Sequence, residues 1–330
     1  MIGTVLSIAG SDPIGGAGIQ ADIKAVTMQG CYAMTAIPAL TVQNTRGVTD
    51  VMDVPADFIA AQIDAVFTDV FPDAVKIGMV SNTAAIHAIA ERLRFYKPKA
   101  VVVDPVMVST SGHALLQPDA AEALCTELIP LASVITPNLS ETAVLLGREV
   151  HSVEEMRTAA RELSERFGTD VLVKGGHLSG TAADVLFDGG VFTQFETERI
   201  DTPNTHGTGC TLSSAIASGL AKGLPLAESV RRAKQYLTDA LKTGFAIGHG
   251  NGPLLHNFAL HPCGVSPHPI CFEDSGTPFQ RPQCANAYRQ RRKAGCPRWQ
   301  LASRIVMHRS NDRNAPMPIG KGAKLVRVMA

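Results

Sequence analysis

The sequence predicts an α/β fold, with a mostly parallel central sheet flanked by helices on both faces. Over the first 250 residues, short β-branched runs alternate with segments whose apolar residues recur every three or four positions. The strand runs are apolar almost throughout, as in TVLSIA (4–9) and KAVVVD (99–104), which is typical of a sheet buried on both faces. The chain has 330 residues, 45% of them hydrophobic, which is enough to bury such a core.

The elements follow in a regular order along the chain. Strands are predicted at 4–9, 34–42, 73–77, 99–104, 133–136 and 170–174. Amphipathic helices are predicted at 55–70, 82–96 and 152–168, and the last of these opens on a capping-box pattern formed by Ser152 and Glu155. The segment 183–198 departs from the alternation, because two strand-like halves flank an Asp-Gly-Gly turn, which predicts a hairpin. Helices at 209–222 and 226–243 follow.

The periodic pattern stops near residue 261. Residues 261–330 hold twelve Lys and Arg against three Asp and Glu, a net charge of +9, whereas residues 1–260 carry −9. We therefore expect one domain over residues 1–258 and a basic Cys-, Pro- and Arg-rich extension over 259–330 that is disordered or non-native. The run RQRRK leaves nucleic-acid binding open as a less favoured alternative.

The spacing of the cysteines and the N-terminal residues indicate where in the cell the protein is located. The seven cysteines are sparse in the body of the chain, and those of the extension are not spaced as the CxxC pairs of zinc modules. The first residues lack the basic region of a signal peptide, and no window approaches 18 apolar residues. We expect a cytoplasmic protein that does not cross a membrane.

Residues that carry chemistry follow the ends of several predicted strands. Because ligands in such sheets bind beyond the carboxyl ends of the strands, we expect these residues to converge. Carboxylates hold Mg²⁺, a lysine supplies a point charge for phosphates, and the amides of a Gly-rich helix start bind an anion. This set indicates phosphoryl transfer. Its members are Asp104, Asn138, Glu141, Lys174 and the HGTGC segment from His206 to Cys210.

Other phosphate-binding motifs are missing from the sequence. It has no GxxxxGK[ST] loop and no protein-kinase signature set. The N-terminal loop, AGSDPIGGAGIQADIKAV (9–26), is also rich in glycine, but its glycines do not match GxGxxG. We interpret it as a loop that covers a substrate, with Asp22 in the helix that follows.

The motifs taken together resemble the hydroxymethylpyrimidine/phosphomethylpyrimidine kinases of thiamine biosynthesis, a family of the ribokinase-like superfamily. The resemblance extends over roughly residues 1–258, in the order that the family has. The matching segments are AGSDPIGGAGIQAD (9–22), LTVQNTRGV (40–48), KIGMV (76–80), DPVMV (104–108), TPNLSE (136–141), VLVKGGH (171–177), NTHGTGCTLSSA (204–215) and IGHGNGPLLH (247–256).

The resemblance implies a role for each residue of a substrate pocket. Gln43 is expected to bind the aminopyrimidine, since a carboxamide offers one donor and one acceptor to an amine beside a ring nitrogen. Asp22 is also expected to bind the substrate. The apolar walls would be Ala17, Val42, Met79 and Val106.

The resemblance also implies a phosphate side, with ATP and Mg²⁺ as cofactors. Asp104 and Glu141 are expected to associate with Mg²⁺, and Lys174, Asn138 and His206 with the nucleotide. Gly207, Thr208 and Gly209 are expected to bind the transferring phosphoryl group. Cys210 stands where most ribokinase-like enzymes carry Asp, and the helix N-terminus is expected to lower the pKa of its thiol so that a thiolate accepts the proton.

The reaction that the resemblance implies is ATP-dependent phosphorylation of 4-amino-5-hydroxymethyl-2-methylpyrimidine, first to its monophosphate and then to the diphosphate. The small molecule is the expected partner, and a homodimer the expected assembly. Two alternatives stay open: a kinase of pyridoxal or a related vitamin alcohol, and a non-catalytic protein that binds a pyrimidine.

Overall fold

A computed structural model of the chain describes residues 2–107, 117, 119–176, 182–244 and 247–260. Within them, an eight-stranded sheet runs in the order β10-β9-β8-β7-β6-β5-β1-β2, and β3 and β4 form a separate two-stranded sheet. The strands are β1 Thr4–Ile8, β2 Tyr32–Ala36, β3 Ala39–Asn44, β4 Gly47–Asp53, β5 Ala74–Ile77, β6 Val101–Val103, β7 Val134–Ile135, β8 Asp170–Gly175, β9 Ala182–Asp188 and β10 Val191–Thr197.

Helices cover both faces of the large sheet. They are α1 Gly18–Met28, α2 Ala56–Asp69, α3 Thr83–Tyr96, α4 Ala120–Ala123, α5 Leu139–Leu146, α6 Val153–Phe167, α7 Thr208–Ala221 and α8 Leu226–Lys242. A π-helical turn, Leu124–Leu128, and a 3₁₀ turn, Ile129–Leu131, follow α4, and a second 3₁₀ turn spans Phe258–Leu260. None of the helices in the described part of the chain is long and apolar enough to cross a membrane.

The apolar strands fill two cores, one on each face of the sheet. Val101 and Val103 lie in the core formed with α2, α3 and α6, whereas Val102 between them lies in the core formed with α1, α7 and α8. Successive side chains of a strand point to opposite faces, so a strand covered on both sides must be apolar at every position. This confirms the predicted mostly parallel sheet; among the described strands of the large sheet, β9 runs antiparallel to both of its neighbours, β8 and β10.

One predicted strand is wrong in its extent. The segment 34–42 forms two strands, β2 and β3, which Ile37 and Pro38 separate, and β3 leaves the large sheet to pair antiparallel with β4. Pro38 has no N–H for a sheet ladder, which accounts for the break. The sequence does not predict β4, because GVTDVMD has neither a continuous apolar run nor a regular alternation, and most of its residues are exposed.

Candidate active site

A pocket of about 180 Å³ opens at the carboxyl ends of β1, β5, β6 and β7. It gathers nearly all the residues that the sequence analysis assigned to substrate, phosphate and metal, which lie in seven separate segments of the chain. The residues that form its wall are Gly10, Ser11, Asp12, Ala17, Gly18, Thr41, Gln43, Met79, Asp104, Val106, Asn138, Glu141, Lys174, His206, Gly207, Thr208, Gly209 and Cys210.

Lys174 is held between the two carboxylates of the pocket. Its Nζ lies 2.7 Å from Asp104 Oδ1 and 4.0 Å from Glu141 Oε2. Burial alone would lower the pKa of Lys174, but Asp104 and Glu141 outweigh it and raise that pKa. Burial likewise opposes the ionisation of Asp104, yet Lys174 and Lys76 hold its pKa below the ordinary value. Lys174 and Asp104 are therefore both charged at neutral pH.

Glu141 is placed by a capping box at the start of α5. Its Oε2 accepts a hydrogen bond from Asn138 N at 2.7 Å, while Asn138 Oδ1 accepts one from Glu141 N at 2.9 Å. Burial raises the pKa of Glu141 to about 7, and the nearby charge of Asp104 adds to the effect of burial. This carboxyl group therefore changes charge near neutral pH.

A Gly-rich turn starts α7 beside this charged cluster. Gly207 has a φ of 83°, and a side chain there would overlap Gly16 O, so both the backbone conformation and the space require glycine. A Cβ on Gly209 would lie 3.2 Å from Asp104 Oδ2 and 3.4 Å from Lys174 Nζ. We call residues 207–209 the anion loop, because they begin α7, whose first amides have no partner within the helix, next to Lys174.

Cys210 lies in the pocket wall, as expected, but its thiol is not activated as expected. Burial raises the pKa of Cys210 to about 11; Lys76 lowers it, whereas Asp22 and Asp104 raise it further. The predicted lowering of the thiol pKa is therefore wrong for the free protein, because burial and the charges of Asp22 and Asp104 outweigh the groups that lower it.

Two residues assigned to the substrate do not line the pocket. Asp22 is fully buried, and its carboxylate binds Lys76 Nζ, at 2.9 Å to both oxygens, together with the hydroxyls of Ser7 and Ser214. It therefore supports the core beneath the site. Val42 is 59% exposed, because the pleat of β3 directs it away from the face that carries Thr41 and Gln43. Both assignments are corrected accordingly.

A hydrogen-bond network that the sequence analysis missed surrounds Gln43. Its amide lies 3.1 Å from Thr41 Oγ1 and 3.3 Å from His206 Nε2, and that nitrogen lies 2.9 Å from Asp12 Oδ2. His206, which was expected to bind the nucleotide, therefore lies beside Gln43 on the substrate side of the pocket. Thr41 could have been found from the sequence, since it stands two residues before Gln43 on the same face of a strand.

A second cleft, of about 350 Å³, adjoins the pocket. Lys174 and Thr208 belong to the walls of both. The cleft is also lined by Lys234, which forms a buried ion pair with Asp184 at 2.6 Å. Two binding spaces that meet at a lysine and an anion loop provide room for a donor and an acceptor of one phosphoryl group.

Known proteins resemble this chain over the part that carries the pocket. A family model described as phosphomethylpyrimidine kinase matches residues 12–255. The chain belongs to the phosphomethylpyrimidine kinase family. A hydroxymethylpyrimidine/phosphomethylpyrimidine kinase of Rhizobium meliloti is 54% identical over 260 residues, which is 78% of this chain and 97% of that protein. Its Escherichia coli counterpart is 46% identical over 255 residues, 76% of this chain and 96% of that protein.

Solved structures of kinases agree with this assignment. A phosphomethylpyrimidine kinase from Clostridium difficile aligns with a TM-score of 0.66 and 46% identity, covering 72% of this chain and 99% of that one. An ADP complex of Bacillus subtilis pyridoxal kinase aligns with a TM-score of 0.73 and 38% identity, covering 79% and 100%. These neighbours confirm the predicted ribokinase-like fold, and the family confirms that the chain is a phosphotransferase rather than a non-catalytic binding protein.

Proposed function

We propose that the chain transfers the γ-phosphoryl group of ATP to 4-amino-5-hydroxymethyl-2-methylpyrimidine, and then a second one to the monophosphate, as a step of thiamine biosynthesis. The observation that carries this proposal is one pocket that holds Gln43, the anion loop, Lys174 and Cys210 together. Gln43 would bind the aminopyrimidine edge, with Ala17, Met79 and Val106 as apolar walls. The hydroxymethyl group would then point towards Cys210 and the anion loop.

The chain's own groups can stabilise the charge that moves during the transfer. We assign the second cleft to the nucleotide, because neighbouring structures of this fold carry ADP or an ATP analogue and because the cleft meets the pocket at Lys174. Amides of the anion loop would donate to the transferring phosphoryl group, and Lys174 would neutralise its oxygens. Fixed donors of this kind are aimed at charge that develops in the transition state.

The two carboxylates fit a magnesium ion. Mg²⁺ in such sites is held by one or two carboxylates together with the phosphates of the nucleotide and water. Asp104 and Glu141 share one lysine, and burial together with the charge of Asp104 raises the pKa of Glu141, so a cation beside this carboxyl group would favour its ionised form. Mg²⁺ would supply charge neutralisation on the phosphates. Within the described residues, no cluster of three or more acidic, Cys or His side chains could hold a metal by itself.

The two transfers differ in what they demand of Cys210. The alcohol must lose a proton, whereas the phosphate of the monophosphate is already an oxyanion at neutral pH. Cys210 lines the pocket directly after the anion loop, and we assign it as the group that accepts this proton. We therefore assign it to the first transfer only.

Pyridoxal is a second candidate substrate, because pyridoxal kinases from Bacillus subtilis and Staphylococcus aureus are structural neighbours at TM-scores of 0.73 and 0.72. ADP release should be measured with hydroxymethylpyrimidine, its monophosphate and pyridoxal in parallel. We expect the highest kcat/KM with the pyrimidine alcohol. A higher value with pyridoxal would reverse the assignment, and ADP release with none of the three would refute it.

The remaining expectations concern the molecule beyond its pocket. We propose a kinase domain over residues 1–258, a homodimer and a cytoplasmic location; residues 261–330 lie outside the described part of the chain. A chain that ends at residue 260 should melt and turn over like the full chain. A Tm lower by several degrees would show that the extension packs on the domain. Salt-sensitive RNA or DNA binding that disappears on truncation would favour the nucleic-acid alternative. Light scattering would test the dimer.

A further inference from the structure

The side-chain amide of Gln43 lies between two groups whose protons are already committed. Thr41 Oγ1 stands 3.1 Å from its Oε1, and His206 Nε2 stands 3.3 Å from its Nε2. A carboxamide keeps its shape when it turns by 180°, so the protons of the neighbours, rather than the shape, determine which end faces which neighbour.

The hydroxyl of Thr41 can only accept a hydrogen bond from Gln43. Thr41 Oγ1 lies 2.8 Å from Ser11 O, and a carbonyl oxygen has no proton to give, so the hydroxyl donates its one proton there. An amide oxygen facing Thr41 would therefore meet lone pairs without a proton between them. An amide nitrogen in the same place would donate to Thr41 Oγ1 and satisfy both groups.

His206 Nε2 cannot accept a hydrogen bond from Gln43, because it carries the proton that it gives to Asp12 and can at most share that proton with an oxygen of Gln43. His206 Nε2 lies 2.9 Å from Asp12 Oδ2. Although burial raises the pKa of Asp12, hydrogen bonds from His206 and Ala17 N outweigh burial and hold it below the ordinary value, so the carboxylate is ionised. An ionised carboxylate requires a proton on Nε2, whether the imidazole is neutral or charged. The amide oxygen of Gln43 is therefore the end that can face His206.

We propose that Asp12–His206 and Ser11–Thr41 lock the Gln43 amide with its oxygen towards His206 and its nitrogen towards Thr41, and so select the ring of the substrate. This inference rests on the proposed function only for the identity of the ring that binds; the orientation of the amide does not depend on it. The locked amide leaves one oxygen lone pair on the His206 side and one N–H on the Thr41 side for a ligand. A bound ring must then offer a donor beside His206 and an acceptor beside Thr41.

This order of groups determines how the aminopyrimidine would lie. Its 4-amino group would donate on the His206 side, and its N3 would accept on the Thr41 side. The ring cannot reverse this edge, because its 5-hydroxymethyl group has to reach the anion loop. The 4-oxo analogue presents the opposite order, an acceptor at C4 and a donor at N3, and would leave both contacts mispaired. Thr41, His206 and Asp12 are thus positioning residues for specificity.

NMR spectroscopy of the free full-length chain tests the lock without any turnover. We expect nuclear Overhauser contacts from the Gln43 amide protons to the side chain of Thr41. Contacts from these protons to the ring of His206 would overturn the proposal, whatever the enzyme phosphorylates. A His206 ring protonated only at Nδ1 would overturn it as well.

Kinetics test the consequence for selectivity. Wild type should prefer the 4-amino over the 4-oxo ring by about 100-fold in kcat/KM, since mispaired buried groups are costly. Thr41→Val, which removes the acceptor for the amide N–H, should reduce this preference by about tenfold. Thr49→Val is the matched control, because Thr49 also donates to a backbone carbonyl, Val42 O, but does not line the pocket. Equal turnover of the two rings by wild type would refute the lock, whereas turnover of neither would refute only the proposed function.

Discussion

Cys210 provides the sharpest test of the chemistry, and the substitution is Cys210→Ala. With a pKa of about 11, about one thiol in 10⁴ is ionised at pH 7. A placed base is typically worth about 10²–10⁴ in rate, and with so little thiolate we expect a loss near 10² in kcat with the alcohol. With the monophosphate, whose oxygen is already ionised, the loss should be below about tenfold.

The pH dependence gives a second measurement of the same role. Below a pKa of about 11, each pH unit raises the thiolate fraction about tenfold, so the wild-type rate with the alcohol should rise from pH 6 to 9. Glu141 also titrates near neutral pH, and Lys76, Lys174, Asp22 and Asp104 also face the thiol. The ratio of wild-type to Cys210→Ala rates at each pH removes contributions that both enzymes share.

The assay is ADP release in both half-reactions, with Cys125→Ala as the matched control. Cys125 is half-buried like Cys210 but does not line the pocket, so its substitution should leave both steps unchanged. The KM for ATP should change little in Cys210→Ala, since the amides of the anion loop remain. Equal losses in the two steps, or a wild-type to variant ratio that stays constant from pH 6 to 9, would show that Cys210 shapes the pocket and accepts no proton.

Three further predictions concern the charged groups around the pocket. Asp104→Asn should lower kcat by about 10², with partial recovery at high Mg²⁺; a loss that Mg²⁺ concentration does not affect would separate Asp104 from the metal. Lys76→Met should lower the free energy of unfolding in urea by about 3–5 kcal/mol, because it leaves the carboxylate of Asp22 buried and unpaired. The control Arg148→Met breaks an exposed ion pair with Glu162 and should lower that free energy by at most about 1 kcal/mol. Similar costs would contradict the role of burial. Burial raises the pKa of Glu141 from its ordinary 4.5 to about 7, so the stability that the protonated Glu141 contributes is full below pH 4.5 and is lost as pH rises through 7. Glu141→Gln should therefore gain stability relative to wild type between pH 5 and 8 without Mg²⁺. A difference in unfolding free energy that stays constant over this range would exclude this titration.

Local patterns in the sequence predicted most of the fold, because they depend on neighbours along the chain. Apolar strands with helical segments between them require a sheet covered on both faces, and the structure has one. The two strands of the 183–198 hairpin and the N-terminal cap of α6 at Ser152 also follow the prediction. The sequence missed β4, since a surface strand carries no continuous apolar signal.

The sequence by itself also determined which residues gather at the carboxyl edge, since strand ends in a parallel sheet share that edge. Only the tertiary structure decided which side chains face the pocket and what charge they carry. The pairing of β3 with β4 directs Gln43 inwards and Val42 outwards, and the packing of α1 on the sheet buries Asp22 against Lys76. The pKa of Cys210 is raised for the same reason: its main cause is burial, which depends on segments that are distant in the sequence, so the residues next to Cys210 could not predict it.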